Sequence, residues 1–456
     1  MYQVDFDKVK TKNPKKIAVI GTGYVGLPSS AVFTKWGNNV VAVDIDQNKV
    51  NMINSGKMPL YEEYVEEFIT EGLANKNFTA TTDYSIAVKD ADVVFIAVGT
   101  PGTEVGTADM KYIDEAAFSI GQNLSEDKYT VVVTKSTVPV GTNKRVQAEL
   151  LRGANGRNVN FDVASNPEFL REGYAVYDSY QGERVVIGSD SSKALDVLAQ
   201  IFEHLDTVIF RTDISSSELI KYAANTFLTT KITFINEIAN LCDRLGADVK
   251  SVAEGIGLDE RIGKRFLNPT EIGFGGPCFP KDVNALYQLG LENNYEFQIL
   301  GSVISINEQQ RFRFLDRITR RLGSNLEGVT LGVLGTAFKD NTDDSRHSGA
   351  IDVIRQLRGY GAKIKVYDPM ALETSKELLG NQNIEYCSDY TEVFSKTDAL
   401  VILTEWKQFK DYDFANLTKE MNNPIIFDAR YMLDPNQMKK LGIEYYSRGR
   451  RVLWQF

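Results

Sequence analysis

The sequence predicts an α/β protein with two Rossmann-like doubly wound domains, joined by a long central helix and a helical domain. Three observations support this fold class. A buried strand, a glycine-rich turn, a helix and a second strand follow one another at 16–46, and the same order of apolar segments returns after residue 328. Between them, 213–245 has helical periodicity without Pro or Gly. We expect domains at 1–207, 208–322 and 323–456.

Composition limits the classes of protein to consider. With 456 residues the chain can form two or three domains, and it has no run of 18 apolar residues that could span a membrane. Its first 16 residues are charged and lack the apolar core of a signal peptide, so we expect an extension ahead of the first strand and a cytoplasmic protein. The net charge of −10 argues against nucleic-acid binding, which needs a concentrated basic surface.

Cysteine and histidine are scarce. Cys242, Cys278 and Cys387 are far apart and odd in number, which argues against a disulfide framework or a CxxC metal site, so no metal is expected. His204 and His347 are the only two histidines, which excludes histidine-rich zinc sites and most hydrolase triads. A general base must therefore be Lys, Glu, Asp or Tyr.

The first apolar segment, 16–20, predicts a strand that leads into a glycine-rich turn and then a helix. The turn has the pattern G-x-G-x-x-G, with its glycines at Gly21, Gly23 and Gly26. Asp44 ends the next strand, where a carboxylate can accept hydrogen bonds from the ribose hydroxyls of an adenosine. This order predicts dinucleotide binding. The carboxylate would repel a 2′-phosphate, so NAD is favoured over NADP.

Three further apolar segments, at 90–101, 129–142 and 160–173, are expected to be parallel strands that end in small or polar residues. Ligands of open α/β sheets lie beyond the carboxyl ends of the strands. We therefore expect one crevice to be lined by Thr100, Thr137, Glu168 and Glu172. Each of these residues, taken alone, could instead be a helix cap or a turn residue.

The long central helix places Glu218, Lys221 and Asn225 on one face, because they are spaced three and four residues apart. A solvated polar stripe is the common explanation of such a pattern. Their position between the dinucleotide half and a cysteine-containing loop favours a functional role.

That loop, GFGGPCFPKD at 273–282, places Cys278 between a glycine-rich turn and the expected start of a helix. A helix N-terminus and a nearby cation such as Lys281 stabilise a thiolate. The carboxylate of Asp282 could orient a water molecule. The alternative is a buried structural cysteine, since cysteine is among the most buried residue types.

The last third of the chain repeats the first in outline and predicts a second nucleotide fold. Its first turn, 335–348, lacks G-x-G-x-x-G, so we do not expect it to hold a second dinucleotide in the same manner. Lys339, Arg346 and Arg430 fall at strand ends and suit phosphate or uridine-like ligands, although surface charge would also explain each one.

An NAD domain implies hydride transfer, and the remaining residues restrict its chemistry. No Tyr has a Lys four residues later, so the Y-x-x-x-K of short-chain dehydrogenases is absent, and zinc ligation is implausible with so few His and Cys. A cysteine beside NAD can attack an aldehyde to give a thiohemiacetal, which delivers hydride and leaves a thioester for hydrolysis. A Lys base together with such a Cys therefore indicates the oxidation of an alcohol to an acid.

Taken together, the motifs resemble the UDP-glucose/GDP-mannose dehydrogenase family. Nine motifs occur in the family order, and the resemblance extends from Lys16 to about Arg450: GTGYVG, VGTP, KSTVPVGT, SNPEFLREG, ELIKYAANTFL, RIGKRFLNP, GFGGPCFPKD, FKDNTDDSR and DAR. The resemblance implies a four-electron oxidation of a nucleotide sugar at C6 with two NAD. UDP-glucose is the expected substrate, because enzymes acting on UDP-N-acetylhexosamines tend to have His at the position of Pro277, and those acting on GDP-mannose tend to lack the RIGxxFL pattern.

Matching residue by residue implies three groups of site residues. The catalytic group is Cys278 as nucleophile, Lys221 for deprotonation and oxyanion binding with Asn225 beside it, Glu168 for proton transfer through water, Asp282 for thioester hydrolysis, and Thr137. The NAD group is Gly21, Gly23, Tyr24, Val25, Gly26, Asp44, Lys49, Thr100, Thr137, Glu172, Lys281 and Arg346. The sugar-nucleotide group is Glu168, Phe169, Leu170, Lys221, Asn225, Arg261, Phe266, Leu267, Gly275, Phe279, Phe338, Lys339 and Arg430.

The chain departs from the family pattern at three places. His347 stands where an acid is common, YEEYVEEF at 61–68 lacks the usual Pro-Gly after Tyr-Glu, and Tyr431 follows DAR where Asn or Arg is frequent. The family residue that matches Arg261 often reaches a neighbouring subunit, so a homodimer or higher homo-oligomer is expected. There are two alternatives of other classes: a two-electron hydroxyacid-type dehydrogenase would give no role to Cys278, and an NAD-binding regulator would not need Lys221, Asn225 and Cys278 together.

Overall fold

The computed structural model of the chain describes residues 4–103 and 106–450. The chain divides into two compact units, 1–224 and 225–456. Among the described residues, each unit contains one largely parallel sheet with helices, of eight strands in the first unit and six in the second. The predicted α/β class with two doubly wound sheets is confirmed. The finer division into domains at 1–207, 208–322 and 323–456 stays a prediction.

The first unit alternates strands and helices along most of its length. Its strands are β1 (Lys16–Ile20), β2 (Asn39–Val43), β3 (Phe78–Thr81), β4 (Val93–Ile96), β5 (Tyr129–Thr134), β6 (Asn160–Ser165), β7 (Arg184–Gly188) and β8 (Val208–Thr212). Its helices are α1 (Gly26–Lys35), α2 (Gln47–Asn54), α3 (Val65–Asn75), α4 (Tyr84–Val88), α5 (Lys111–Asn123), α6 (Thr142–Ala154), α7 (Ala175–Gln181) and α8 (Ser192–Phe202).

The first sheet has the strand order β3-β2-β1-β4-β5-β6-β7-β8. Strand β1 lies at the centre, with Ala18 paired to Val41 on one side and to Val94 on the other. The strands from β3 to β6 are parallel, which confirms the five predicted strands β1, β2, β4, β5 and β6; β3 was not predicted. The strands β7 and β8, which the sequence analysis did not predict, are parallel to each other, and β7 meets β6 antiparallel at a single residue pair, Ser165 and Gly188.

The apolar runs of the central strands explain why both faces of this sheet are covered. Ile17 and Val19 of β1 belong to the cluster on one face, while Ala18 and Ile20 belong to the cluster on the other. A strand buried on both sides has no polar alternation, which is the pattern that parallel sheets require. The carboxyl ends of these parallel strands therefore lie along one edge of the sheet.

A long helix, α9 (Ile214–Leu245), confirms the helix predicted at 213–245 and runs through the boundary of the two units. Three further helices follow in the second unit: α10 (Val249–Gly257), α11 (Phe279–Glu292) and α12 (Gln298–Leu322). Within the ranges 4–103 and 106–450, no helix combines the length and the apolar character needed to cross a bilayer.

The second sheet repeats the strand order of the first, as β11-β10-β9-β12-β13-β14. Its strands are β9 (Thr330–Leu334), β10 (Lys363–Tyr367), β11 (Ile384–Tyr386), β12 (Ala399–Ile402), β13 (Ile425–Asp428) and β14 (Glu444–Tyr446), all parallel. Its helices are α13 (Gly349–Gly359), α14 (Leu372–Leu379), α15 (Phe414–Leu417) and α16 (Pro435–Lys440), with 3-10 turns at Tyr390–Val393, Lys407–Asp411 and Thr418–Glu420. Apolar clusters again cover both faces.

Candidate active site

The turn after β1 has the geometry of a phosphate-binding turn. Gly21 has a φ of +101°, and a Cβ there would lie 2.6 Å from the carbonyl oxygen of Ala97. A Cβ at Gly26, the first residue of α1, would lie 1.9 Å from the carbonyl oxygen of Gly21. At Gly23 a Cβ would meet no atom within 4 Å. Two glycines therefore allow strand and helix to pack closely, while the middle one leaves open space for a pyrophosphate at the helix N-terminus.

Tyr24 and Val25 complete this turn, and Val25 directly precedes α1. Asp44 follows β2 and is half-buried; its Oδ2 accepts hydrogen bonds from the backbone N and Oγ1 of Thr22 at 3.0 and 2.5 Å. Partial burial would raise the pKa of Asp44, but the hydrogen bonds from Thr22 and Asp46 outweigh it and lower this pKa below 3.8. Asp44 is therefore a carboxylate at neutral pH, as ribose binding requires. Lys49 lies close enough to contribute to the same shift.

Two of the predicted crevice residues are in contact at the ends of neighbouring strands. The Oγ1 of Thr100, after β4, donates to the carbonyl of Thr137, after β5, at 3.0 Å. Ser136 reinforces this contact, since its Oγ donates to the carbonyl of Val98 at 2.6 Å. The two loops that follow β4 and β5 are thus tied together at the edge where a ligand is expected.

Lys221 and Glu168 form a buried ion pair, with 3.0 Å between Nζ and Oε1. The other carboxylate oxygen of Glu168 accepts from the backbone N of Leu170 at 2.6 Å. Burial would raise the pKa of Glu168, but the charge and hydrogen bond of Lys221 outweigh it and lower this pKa below 4.5. The Nζ of Lys221 also lies 5.4 Å from the ring centroid of Phe169. Glu172 lies four residues after Glu168 in the same loop and is half-buried.

Lys135 is a residue of this cluster that the sequence analysis missed. It follows β5, is buried, and its Nζ donates to Oδ1 of Asn166 at 3.1 Å. Burial lowers the pKa of Lys135 to about 8; Glu168 opposes the shift and Lys221 adds to it. Its position at a strand end within the KSTVPVGT motif was the signal available in the sequence.

Glu218 shares the α9 face with Lys221 but has a structural role. Its carboxylate accepts from the backbone N of Gly141 at 2.7 Å and from the backbone N and Nδ2 of Asn143, both at 2.8 Å. These are donors at the start of α6. Glu218 therefore caps that helix, which fixes the turn after β5 against α9.

In the second unit, Cys278 directly precedes α11, which confirms the predicted placement between a glycine-rich turn and a helix. A Cβ at Gly275 would lie 2.6 Å from the carbonyl oxygen of His347, and the backbone N of Gly276 donates to that same carbonyl at 3.0 Å. A Cβ at Gly276 would lie 2.5 Å from the ring of Phe338. The glycines thus let the cysteine loop pack directly on the 335–348 turn of the second sheet.

Asn307 of α12, also missed from the sequence, holds the same loop. Its Oδ1 accepts from the backbone N of Phe274 at 2.8 Å, and its Nδ2 donates to the carbonyl of Phe274 at 3.1 Å. A Cβ at Gly273 would lie 2.3 Å from this Oδ1. Both backbone groups of Phe274, four residues before Cys278, are therefore fixed by one buried amide.

The first turn of α11 carries a buried polar network. The Nδ2 of Asn225 donates to Oδ2 of Asp282 at 2.6 Å, and Nζ of Lys281 binds the other oxygen, Oδ1, at 2.6 Å. Asp282 is fully buried. The structure thereby joins the predicted residues Asn225, Lys281 and Asp282, and it pairs the Lys281 ammonium with Asp282.

The predicted sugar-nucleotide residues are partly grouped. Arg430 donates to the carbonyl of Phe338 at 2.9 Å and to Oγ1 of Thr270 at 3.0 Å, and it forms an ion pair with Glu405. Two others, Leu170 and Lys339, are half-buried. The ring centroids of Phe266 and Phe279 are 6.3 Å apart. Leu267 lies in an apolar cluster with residues of α9 and α10.

Two predicted cations pair with nearby acids. Arg346 binds Asp344, and Arg261 is exposed and binds Asp259. Among the described contacts, Arg261 does not contact any other predicted site residue.

The first sheet, its open glycine turn and the carboxylate of Asp44 define an NAD-binding protein as the class. The comparisons with known proteins agree. The chain matches the UDP-glucose/GDP-mannose dehydrogenase family in all three of its domains: the NAD binding domain at 15–206, the central domain at 215–309 and the UDP binding domain at 332–435. The chain belongs to this family, and NAD is its cofactor.

Similar proteins cover nearly the whole chain. UDP-glucose 6-dehydrogenase TuaD of Bacillus subtilis is 44% identical over 96% of this chain and 93% of its own length. UDP-glucose 6-dehydrogenase of Rhizobium meliloti is 40% identical over 95% of this chain and 99% of its own length. Among solved structures, a UDP-glucose dehydrogenase from the archaeon Pyrobaculum islandicum has a TM-score of 0.89 at 35% identity, covering 96% of this chain and 98% of that one.

Proposed function

We propose that the protein is a UDP-glucose 6-dehydrogenase, which oxidises the C6 hydroxyl of UDP-glucose to the carboxylate of UDP-glucuronate with two NAD. The single observation that carries the proposal is the buried Asn225–Asp282–Lys281 network in the first turn of the helix that Cys278 precedes. A two-electron dehydrogenase would give no role to the Cys278 that this network adjoins. The names of the similar proteins and the match to a UDP binding domain support UDP-glucose as the substrate.

Each NAD, when bound, accepts one hydride. The first oxidation requires loss of the proton on the C6 hydroxyl. Glu168 is ionised at neutral pH and can take this proton through a water molecule. We assign the ammonium of Lys221, which lies 3.0 Å from Glu168, to stabilise the alkoxide oxygen. The product of this step is an aldehyde.

In the next step, the Sγ of Cys278 attacks the aldehyde carbon to form a C–S bond, and the carbonyl oxygen becomes the hydroxyl of a thiohemiacetal. A helix N-terminus favours the thiolate form that this attack needs. The second oxidation converts the thiohemiacetal to a thioester. Because the aldehyde is bound covalently, it does not leave the site.

Hydrolysis of the thioester completes the reaction. We assign Asp282 as the group that takes a proton from the attacking water, after which the C–S bond breaks and the Cys278 thiolate is regenerated. Asn225 and Lys281 orient both oxygens of this carboxylate. The overall balance is one alcohol, one water and two NAD⁺ converted to one carboxylate, two NADH and three protons.

The decisive measurement is the number of NADH molecules formed per UDP-glucose consumed. Two is the expected value, and one would contradict the cysteine route. A panel of UDP-N-acetylhexosamines and GDP-mannose under the same conditions tests the sugar. A higher kcat/KM on any of these than on UDP-glucose would overturn the substrate assignment.

Cys278→Ala should abolish formation of the acid while NAD still binds. Cys242→Ser provides the matched control, because Cys242 is buried in an apolar cluster of α9 and α10 and burial raises the pKa of its thiol. The nucleophile would be misassigned if Cys278→Ala still produced uronate at the wild-type rate.

We also propose that the protein is a homodimer in the cytoplasm. Helix α9 exposes three large apolar side chains seven residues apart, which places them in one stripe: Phe227, Phe234 and Leu241, exposed by 65, 54 and 50%. A second copy of the chain could cover this stripe. Light scattering should give twice the chain mass for the wild type and the single chain mass for Phe234→Asp; a monomeric wild type would contradict the proposal.

A further inference from the structure

The segment 61–68, where the chain departs from the family pattern, contains a buried carboxylate that holds a distant loop. The Oε2 of Glu62 accepts from the backbone N of Gly173 at 2.7 Å, and its Oε1 accepts from the backbone N of Ala175 at 2.7 Å. These two amides directly follow the loop of Glu168 and Glu172. Charged acceptors make strong hydrogen bonds with buried amides, so Glu62 fixes the carboxyl end of that loop.

A segment that precedes the matched family domain packs beside Glu62. We call Val4–Lys12 the N-terminal strap; the family's NAD binding domain begins at residue 15. The ring of Phe6 lies 4.9 Å from the ring of Tyr64, 5.4 Å from that of Phe68 and 4.9 Å from that of Tyr180, between centroids. Because Phe68 is in α3 and Tyr180 is in α7, the strap joins the two helices whose N-terminal ends meet at Glu62.

Polar contacts fix the rest of the strap to α1. Asp7 forms an ion pair of 2.8 Å with Lys35, whose side chain is buried, and Nζ of Lys10 donates to the carbonyl of Lys35 at 3.0 Å. The backbone N of Thr11 donates to the carbonyl of Trp36 at 2.8 Å. The strap is therefore an ordered part of the first unit.

The backbone between Glu62 and α3 needs such support. Tyr64, which precedes α3, has a φ of +68°, a left-handed conformation that is unusual for a residue with a side chain. Such conformations persist only where the surroundings hold them. The Phe6 ring packs against Tyr64, two residues from Glu62.

We propose that Glu62 is a positioning residue for the Glu168–Glu172 loop, and that the N-terminal strap holds Glu62 in place through Phe6 and Tyr64. This proposal rests on the proposed function, because the role of Glu168 toward the sugar is assigned there, and Glu172 of the same loop is an expected NAD residue. In this proposal Glu62 acts through the loop, by its hydrogen bonds to the backbone N of Gly173 and Ala175.

Glu62→Gln is the sharpest variant. The Gln amide has nearly the shape of the carboxylate but keeps one acceptor oxygen, and its NH₂ group faces an amide that also donates. Phe6→Ala removes the strap contact and leaves Glu62 intact. Lys8→Ala is the matched control, because Lys8 is on the same strap, its side chain is 82% exposed and it pairs only with the exposed Asp5 among the described contacts.

Two measurements on the full-length chain test the proposal. Hydrogen–deuterium exchange at 168–175, well below the unfolding temperature, should rise about tenfold in Glu62→Gln and less in Phe6→Ala, since a lost hydrogen bond to a charged acceptor permits local opening. The kcat/KM for UDP-glucose should fall by about tenfold to a hundredfold in Glu62→Gln, because small displacements of reacting groups cost that much. Lys8→Ala should match the wild type in both measurements.

The outcomes distinguish this inference from the proposed function. Unchanged exchange at 168–175 in Glu62→Gln would overturn the positioning role, whatever the activity. Faster exchange throughout the first unit would show general destabilisation and would also overturn it. If the wild type does not oxidise UDP-glucose, the proposed function fails, while the exchange measurement still decides whether Glu62 and the strap hold the loop.

Discussion

The two sheets of the molecule have the same strand order, but only the first has the dinucleotide-binding turn. Strands run in the same order around β1 and around β9. In both, a glycine with positive φ follows the central strand: Gly21 at +101° donates to the carbonyl of Val43 at 2.7 Å, and Gly335 at +93° donates to that of Tyr367 at 2.8 Å. The difference therefore begins after this glycine.

After this glycine, the first turn leaves open space beside the backbone, whereas the second turn has a side chain at the corresponding position. Gly23 has no atom within 4 Å of a Cβ position, whereas the second sheet has Ala337 at the corresponding place. Helix α1 begins at once with Gly26, but α13 begins only at Gly349, after a turn that supports the cysteine loop. The second turn thus supports another part of its own unit.

The acid after the second strand shows the same contrast. Asp44 is half-buried, and its described hydrogen bonds come from Thr22 and Asp46. Asp368 is buried and accepts from five donors: the backbone N of Thr336, Ala337, Met370 and Ala371, and Nε1 of Trp406. A carboxylate so fully bonded within its own unit has no capacity left for a ribose. An acid at this position therefore indicates a nucleotide site only when its oxygens stay accessible.

The largest effect should come from removing these two acids. Asp368→Ala leaves buried backbone donors without acceptors and should lower the free energy of unfolding of the second unit by about 4 kcal/mol, with NAD affinity unchanged. Asp44→Ala should weaken NAD binding by about tenfold or more, with a smaller effect on unfolding. Urea unfolding and NAD titration of both variants provide the test. Equal loss of NAD affinity in the two variants would contradict the assignment of the nucleotide site to Asp44 alone.

A methyl group in the open turn should act on the cofactor alone. At Gly23 the added Cβ meets no protein atom, so Gly23→Ala should fold like the wild type but weaken NAD binding by about a hundredfold, because the methyl occupies the approach of the pyrophosphate. Gly335→Ala is the matched variant in the second sheet. Its Cβ would lie 2.4 Å from Cβ of Thr404, so it should destabilise the fold and leave NAD affinity unchanged. Tight NAD binding by folded Gly23→Ala would contradict this interpretation of the turn.

Local pattern predicted the features that depend on neighbouring residues in the chain. The glycine turn, the helix at 214–245 and the position of Cys278 before a helix all follow from spacing of a few residues. Strands β3, β7, β8, β11 and β14 were not predicted. Three of them, β3, β11 and β14, have only four, three and three residues, which is too short for a clear apolar pattern.

The missed site residues depend on distant contacts. Asn307 fixes Phe274 and Lys135 binds Asn166, each from more than 30 positions away along the chain. Glu218 was placed on the correct helix face, but its partners at the start of α6 could not be read from that face.

Because Lys135 is buried at the end of β5, the stability of the folded protein should depend on pH. Lys135 has a pKa of about 8 in the folded protein and the ordinary 10.5 when unfolded. Between these values the unfolded chain holds a proton that the folded protein has released, so stability rises with pH. Relative to Lys135→Met, wild-type stability should increase by about 1.4 kcal/mol per pH unit above pH 8. Urea unfolding at pH 7, 8, 9 and 9.5 measures this difference; a constant difference would show that Lys135 does not titrate in this range.

The smallest effect should come from making the second turn look more like the first. Ala337→Gly restores the middle glycine of the pattern, yet it creates no dinucleotide site, because Asp368 remains fully hydrogen-bonded and α13 still begins far from the turn. The cost should be about 1 kcal/mol of stability from the added backbone freedom of glycine. Equilibrium dialysis should give the same number of NAD bound per chain as in the wild type. An additional NAD bound per chain would show that the glycine pattern alone, and not the accessibility of the acid, separates the two sheets.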